Sequence, residues 1–432
     1  MCCRCRQAAP RAAGKSAPKH DRFVTPRPSR PMPGVICYRD SEPLSLELPL
    51  PFAHPFDAEA WLDDDKPKEE CGVFGVIGVT DAANFIALGL HALQHRGQEA
   101  GGIVTHDPEL GFQSVRRFGY VRDSFTDAET MAKLPGTIGI GHVRYSTAGS
   151  KGQTAIRDVQ PFFGEFAMGG AAIAHNGNIT NANALRREMI ERGSIFQSSS
   201  DSECIIHLMA RSLQRDIPSR MEDALRRVEG AFSVVAMTRT KLIGVRDPLG
   251  VRPLVLGRVG EGWALASETC ALDIIGADFV REIDPGEMVV ITSEGVESTN
   301  PFKPKRPRFC IFEHVYFSRP DSQLGGRSVY ETREAIGAEL AREAPVEADL
   351  VCPVPDSGTP AAIGFARESG IPYGMGIVRN QYVGRTFIEP TEQIRNMGVR
   401  LKLNVNRALM KGKRVVLVDD SVVRGTTSRK IK

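Results

Sequence analysis

Two groups of residues in this chain could do covalent chemistry, and each sits where an apolar run gives way to polar residues. The later one is Val415-Val416-Leu417-Val418 followed by Asp419-Asp420-Ser421-Val422-Val423-Arg424-Gly425-Thr426-Thr427-Ser428. A short β-branched stretch reads as a buried strand. The acid pair, Gly425 and the hydroxyl residues read as a loop feeding a helix N-terminus, where free N–H groups and the helix dipole make an anion site. Asp419 and Asp420 can accept from sugar hydroxyls or hold Mg²⁺, which prefers oxygen ligands. A sugar carrying a phosphate would satisfy both halves; an ordinary strand-to-turn junction is the plain alternative. The earlier group starts at Glu69-Glu70-Cys71-Gly72-Val73-Phe74-Gly75-Val76. A cysteine at the edge of such a strand is often a core residue, but as a thiolate it is a nucleophile.

Polar clusters follow Cys71 at intervals, each after an apolar segment. They are Leu93-Gln94-His95-Arg96-Gly97-Gln98-Glu99, Gly141-His142-Val143-Arg144-Tyr145-Ser146-Thr147, Ala174-His175-Asn176-Gly177-Asn178 and Ser199-Ser200-Asp201-Ser202-Glu203. The last opens an amphipathic helix with Ile205, Leu208, Met209 and Leu213 on one face. Each cluster also has a structural reading. Asn-Gly is the commonest hairpin turn, Ser200 with Glu203 looks like a capping box, and Arg144 could be a surface ion-pair residue. His95, His142 and His175 are too far apart in sequence to suggest a metal site.

The elements that must position these residues fit two folded halves after an unusual start. The chain has 432 residues, 41% hydrophobic, enough for two to three domains with real cores. Its 55 basic residues nearly balance 52 acidic ones, which argues against a general nucleic-acid binder. No run of 18 apolar residues suggests a membrane span. The nine cysteines are scattered apart from Cys2, Cys3 and Cys5 and suggest no secreted disulfide framework. Residues 1–39 carry nine Lys/Arg and one acid, residues 40–70 ten acids and two Lys, and eleven of the 28 prolines lie in residues 1–70. That composition favours a disordered leader or propeptide. An acid-poor, Arg-rich start would also suit a transit peptide, and an over-extended gene start remains a further reading. Residues 285–310, with Pro285-Gly286 and the Pro/Lys/Arg run from Pro301 to Pro307, read as a boundary.

The whole set resembles known families. The Val415–Ser428 string is similar to the phosphoribosyltransferase signature that binds 5-phosphoribosyl-1-pyrophosphate (PRPP). The clusters from Cys71 to Asp201 resemble, in order and spacing, the class II glutamine amidotransferases of the N-terminal nucleophile superfamily; Arg246–Leu254 and Ala266–Cys270 extend that likeness. Phe312-Glu313-His314-Val315-Tyr316-Phe317-Ser318-Arg319-Pro320-Asp321-Ser322 resembles the connector of the amidophosphoribosyltransferase family. The resemblance covers about residues 60–432.

That resemblance implies a disordered leader over residues 1–70 and an α+β N-terminal nucleophile hydrolase domain over 71–305, with stacked antiparallel sheets between helices. An incomplete α/β phosphoribosyltransferase domain with a mainly parallel sheet would fill 306–432. It implies cutting before Cys71, so that the free α-amine serves as base, with Asn176 and Gly177 as oxyanion donors. Arg96, Arg144 and Asp201 would bind glutamine. Asp419, Asp420, Arg424, Gly425, Thr426, Thr427, Ser428, Arg379 and Tyr382 would bind PRPP, the last two on the Arg379–Phe387 loop. Arg379 and Gln381 depart from the family's usual Lys and basic residue. Ser357, Asp419 and Asp420 would hold Mg²⁺, Tyr316 would couple the sites or be a plain buried aromatic, and Cys310 stands where some relatives place the first ligand of a 4Fe–4S cluster. Purine nucleotide inhibitors, a homotetramer and a cytoplasmic setting (an organelle if residues 1–70 are a transit peptide) are further implications. Four residues follow Ser428, so the transferase half is expected to be truncated, leaving at the least a glutaminase or a PRPP-binding module.

Overall fold

The computed structural model describes residues 71–145, 156–380 and 403–421, and, as backbone, the strand Val35–Cys37 (β1). The strand β2 (Gly72–Ile77) is buried along its whole length. This is why its sequence shows no polar alternation: both faces are covered. It lies inside a seven-stranded antiparallel sheet with β3 (Ala100–Asp107), β4 (Gly111–Phe118), β5 (Ile138–Arg144), β10 (Val255–Val259), β11 (Gly262–Ala266) and β12 (Asp278–Glu282), ordered β12-β10-β11-β2-β5-β3-β4.

A six-stranded sheet faces it, ordered β14-β13-β9-β8-β7-β6. Its members are β6 (Phe162–Phe166), β7 (Gly169–Ile179), β8 (Gly230–Met237), β9 (Leu242–Arg246), β13 (Met288–Thr292) and β14 (Gly295–Thr299). Val73, Val104, Ile138 and Ile140 of one sheet meet Ala172, Ala174, Val235 and Leu242 of the other. The outer face of the first sheet is covered by the helix Ala82–Ala92, whose Ile86 and Leu90 pack on Phe74 and Val143. The second is covered by Ala182–Glu191, Glu203–Arg211 and Ile217–Leu225. The result is two antiparallel sheets between helical layers.

The boundary read at 285–310 is narrower, because β13 and β14 complete the second sheet. Only after Thr299 does the chain leave it. The connector docks back through Arg308 N–H on the Leu249 carbonyl (2.7 Å) and Cys310 N–H on that of Val251 (3.3 Å). It then forms one π-helical turn, Glu313–Phe317.

Past the hairpin β15 (Gln323–Leu324) and β16 (Arg327–Ser328), the second half is built on β17 (Leu350–Pro353) and β20 (Val415–Val418), which pair in parallel. A two-stranded ribbon, β18 (Ile377–Arg379) with β19 (Leu403–Val405), stands beside them. The stretch read as a disordered leader contributes β1, antiparallel to the other side of β20. Helices Val329–Glu343 and Thr359–Ser369 cover the strands, with Ala341, Phe365 and Ala362 against Val351, Val416 and Val418.

Those two helices touch backbone to backbone. A Cβ on Gly337 would lie 1.9 Å from the Ala361 carbonyl oxygen. Replacing glycine by alanine inside a helix ordinarily stabilises by roughly 1 kcal/mol. Here the opposing atom is main chain, so Gly337→Ala is expected to reverse that sign and destabilise the second half by about 1–3 kcal/mol through overpacking. A raised urea midpoint for Gly337→Ala would contradict this packing.

Candidate active sites at two strand ends

Cys71 immediately precedes β2. The register Gly72↔Val143 between β2 and β5 brings it level with Arg144, the last residue of β5. As a residue Cys71 is partly exposed. Its thiol nonetheless lies among protein groups, and burial pushes it up to about 11 despite a backbone hydrogen bond at Tyr145 and the positive charge of Arg144. Asp201 is close enough to raise it further.

Arg144 is half-buried at the rim. It donates to the Asp158 carbonyl and its Nε lies 3.8 Å from the Glu99 carboxylate. Asp201 accepts from the Ile179 N–H at 2.8 Å and from the Ser202 hydroxyl at 3.2 Å. Ile179 is three residues beyond Asn176 on β7, so Asp201 is fixed to the strand that carries the expected oxyanion donors. Asn176 is fully buried. Gly177 has φ +147°, and a Cβ there would fall 2.1 Å from the Ala231 carbonyl oxygen. The glycine is therefore required by the close approach of β8 as well as by its backbone angle. Cys71, Arg144 and Asp201 thus meet at one end of the sandwich.

The helix beginning at Glu203 is not opened by a Ser200–Glu203 capping box. The Glu203 carboxylate instead accepts from the N–H groups of Gln197 (2.7 Å) and Ser198 (2.8 Å) and from the Ser198 hydroxyl (2.6 Å). It closes the preceding loop, leaving the Asp201 side chain to Ile179 and Ser202.

Arg96, also expected at the glutamine site, carries its guanidinium in a buried ion cluster. It is about 1% exposed, and its guanidinium is taken up by the carboxylates of Glu268 and Glu313 and by the Ser318 hydroxyl. Glu268 also accepts from His95 Nε2 (2.7 Å), the Arg319 N–H (2.9 Å) and the Ser322 hydroxyl (2.6 Å). Glu313 takes a further bond from Arg252 Nη1 at 3.1 Å. Burial works against both carboxylates, but Arg96 with His95 for Glu268, and Arg96 with Arg252 for Glu313, hold them below the ordinary carboxylate range. Glu268, Glu313 and Arg252 stood inside recognised motifs without an assigned role.

At the second strand end, β20 runs into Asp419 and Asp420. Burial, then repulsion from Asp420, pushes the Asp419 carboxyl up to about 7. Its carboxylate accepts the Asp420 N–H at 3.0 Å, and Ser421 donates to Asp420 at 2.7 Å. The loop carrying Ser357 lies alongside, with the Val354 N–H on the Val418 carbonyl at 2.8 Å. Arg379 is paired with Asp356. Two adjacent carboxylates, with the buried Arg333 acting on Asp420 from the neighbouring helix, suit a divalent cation that draws its remaining ligands from a phosphorylated substrate. Among the described residues no group of three or more His, Cys, Asp or Glu could hold a metal alone.

Cys310 is a half-buried free thiol, Tyr316 a half-buried ring 5.8 Å from that of Phe317. Ser146, Thr147, Gln381, Tyr382 and residues 383–387 lie outside the described residues, as do Arg424, Gly425, Thr426, Thr427 and Ser428. No described helix is long and apolar enough to cross a membrane.

Comparison with known proteins agrees with this layout. The glutamine amidotransferase domain family matches residues 144–273. The chain is 56% identical over 384 residues to the amidophosphoribosyltransferase of Rhizobium etli, spanning 88% of this chain and 77% of that protein. It is 51% identical over 378 residues to the chloroplastic amidophosphoribosyltransferase 1 of Arabidopsis thaliana, spanning 87% of this chain and 66% of that one. The solved glutamine PRPP amidotransferase of Bacillus subtilis, complexed with ADP and GMP, superposes with a TM-score of 0.77 at 44% identity, covering 83% of this chain and 77% of the other.

Removing one partner from the buried ion cluster leaves a buried charge uncompensated, which costs about 3–5 kcal/mol. Glu268→Ala is expected to lower the unfolding free energy by that order in urea titration, and an effect below about 1 kcal/mol would contradict the cluster's role. The fully buried His142 adds a pH dependence. Burial, reinforced by Arg144, lowers it from the ordinary 6.5 to about 3. The unfolded state then binds a proton that the folded state refuses, so stability is complete above about pH 6.5 and falls as pH drops toward 3, by up to ~1.4 kcal/mol per unit. His142→Gln should flatten that limb of the stability profile.

Proposed function

Since the chain belongs to the amidophosphoribosyltransferase family, we propose a division of that family's reaction among its residues. The reaction is the first committed step of purine synthesis: glutamine, PRPP and water give 5-phosphoribosylamine, glutamate and pyrophosphate.

Glutamine hydrolysis is assigned to the end of β2. Cutting the Glu70–Cys71 bond frees an α-amine with an ordinary pKa near 8, able to take the thiol proton. Cys71 attacks the side-chain carboxamide, ammonia leaves, and water hydrolyses the resulting thioester to glutamate. The Asn176 amide and the Gly177 N–H stabilise the oxyanion. Arg144 takes the carboxylate of glutamine and Asp201 its ammonium group. The observation that carries this reading is the meeting of Cys71 with Arg144 and Asp201, together with a thiol that burial keeps protonated. An adjacent base is what that thiol needs.

The second step is assigned to the end of β20. Asp419 and Asp420 bind the ribose hydroxyls, and the Arg424–Ser428 loop takes the 5-phosphate. Mg²⁺, held by Asp419, Asp420 and Ser357, would neutralise charge on the departing pyrophosphate. Arg379 and Tyr382 belong to a loop that covers the substrate and excludes water. Tyr316 couples the two sites through the connector. Among the described residues Cys310 has no set of further ligands that could complete an iron–sulfur cluster. Purine nucleotides are proposed as regulators, after the ADP and GMP of the Bacillus subtilis complex. A homotetramer and a cytoplasmic location, or an organellar one if residues 1–70 are a transit peptide, complete the proposal.

Intact mass and N-terminal sequencing test the cut directly. With residues 1–70 attached, alkylation of Cys71 by iodoacetamide should be slow at pH 7.5 and climb toward pH 11. A chain beginning at Cys71 should react at least about tenfold faster at pH 7.5, one pKa unit being tenfold in thiolate. Equal rates would sink the role of the α-amine.

A further inference from the structure

The inter-sheet layer changes character directly beneath Cys71. Along β5, Ile138 and Ile140 face that layer, and the two-residue period of a strand places His142 on the same face. Along β7, Ala172 and Ala174 do likewise, which places Asn176 there. The neighbours in register are Val73 of β2, opposite His142, and Ser233 of β8, opposite Asn176. The aliphatic filling of the sandwich therefore ends in a polar set of His142, Asn176 and Ser233.

Ser233 is satisfied by the Arg252 carbonyl at 3.2 Å. His142 and Asn176 are not. Both are 0% exposed, and His142 Nδ1 and Nε2 and Asn176 Nδ2 and Oδ1 have no hydrogen-bond partner among the described residues. Leaving such a group unpaired costs roughly 1–3 kcal/mol, so four on two side chains of one layer call for a common explanation. The His142 ring comes within reach of the His175 backbone, in the residue joined to Asn176, without a geometry that makes a full hydrogen bond there. His175 is held at Nδ1, 2.8 Å from the Ser202 hydroxyl, and through its N–H on Gln160 at 2.7 Å, while its Nε2 is also without a partner among the described residues.

We propose that His142 is a positioning residue for glutamine hydrolysis: its imidazole N–H, directly or through one water, binds Asn176 Oδ1 and so turns the Asn176 NH₂ toward the oxyanion. This rests on the reading of Asn176 as an oxyanion donor. A carboxamide has its acceptor and its donor on opposite sides. Whichever group claims the oxygen decides where the N–H bonds point. A neutral imidazole offers one donor and is too buried to compete as a charge. Preorganised donors cost no reorganisation in the transition state, so fixing this amide acts on turnover more than on substrate capture.

The test is glutamine hydrolysis by protein carrying Cys71 at its N-terminus. Asn176→Ala is expected to lower kcat by about 10²–10³-fold, the effect of losing one oxyanion donor. His142→Leu, of similar bulk and without a donor, should lower kcat at least about tenfold with KM within about threefold, and His142→Gln should recover part of that loss. The double variant should be no slower than Asn176→Ala alone, because the two act through one amide. Iodoacetamide labelling of Cys71 should proceed at the parent rate in all of them, which shows that the site is folded. If Asn176→Ala leaves kcat within threefold of the parent, the oxyanion reading falls and this inference with it. If Asn176→Ala is slow but His142→Leu is not, or if the two losses multiply, only the role of His142 is overturned. Should His142→Leu not fold, the parent protein decides by high-resolution crystallography. A His142-to-Asn176 hydrogen-bond path, direct or through one water, is expected, and a ring bonded only to other groups would overturn it.

Discussion

The buried cluster of Arg96, Arg252, Glu268 and Glu313 is the interaction on which the relation between the two halves depends. Two positive and two negative charges are removed from water together, and each acid keeps several donors. Arg96 comes from the loop after the first helix, Glu268 from the end of β11 and Glu313 from the connector's π-helical turn. Such a cluster contributes little net stability over an apolar packing of the same volume, since desolvation offsets attraction. What it imposes is geometry. A planar guanidinium bonded to two carboxylates and a hydroxyl tolerates only one arrangement of the segments that supply them. The connector is held in register with the loop that flanks the nucleophile.

The same turn faces the other way as well. Arg333, buried in the helix Val329–Glu343, donates to the carbonyls of His314 (2.6 Å) and Ser318 (2.8 Å). A π-turn leaves its carbonyls less regularly paired than an α-helix does, and Arg333 accepts that role from the transferase side. One five-residue turn thus meets Arg96 on one flank and Arg333 on the other. The glycine contact of Gly337 then locks the Arg333 helix against Thr359–Ser369, which packs on β17 and β20. From Cys71 to Asp419 the path is continuous through packed elements.

What could be read from sequence followed how local each signal is. The strands β2 and β20 announce themselves because burial on both faces leaves an unbroken apolar run beside polar residues. The two-sheet sandwich followed from the recognised cluster order. The ion cluster could not be read, because Arg96 is 172 residues from Glu268 and 217 from Glu313; no pattern within a window reports such a pairing. The Ser200–Glu203 pattern misled because a carboxylate can reach back to an earlier loop as easily as to its own helix start. Residues 285–299 looked like a linker because Pro285-Gly286 is a turn, yet the β13–β14 hairpin behind it is an edge of the second sheet. Arg96 is expected at glutamine because its motif stands next to the site, whereas its guanidinium is engaged by two buried acids and the Ser318 hydroxyl.

The two strand ends share one electrostatic design. Each places an ionisable group where burial opposes its charge: the thiol of Cys71 goes up to about 11 and the carboxyl of Asp419 to about 7. In each, the protein's own countercharge is too weak to reverse that. Arg144 acts on the thiol but is already engaged by Asp158 and Glu99, and Asp419 has Asp420, a like charge, as its neighbour. Under the proposed reaction the compensation would come from the α-amine of Cys71, freed by the cut, in one case, and from a cation or a polyhydroxylated substrate in the other. The charges of Glu268 and Glu313, by contrast, are strongly compensated by Arg96, Arg252 and His95. Charge is closely balanced in the buried cluster that holds the connector and less so at the two strand ends, and that contrast, rather than any single motif, supports the proposed division between structural and working acids.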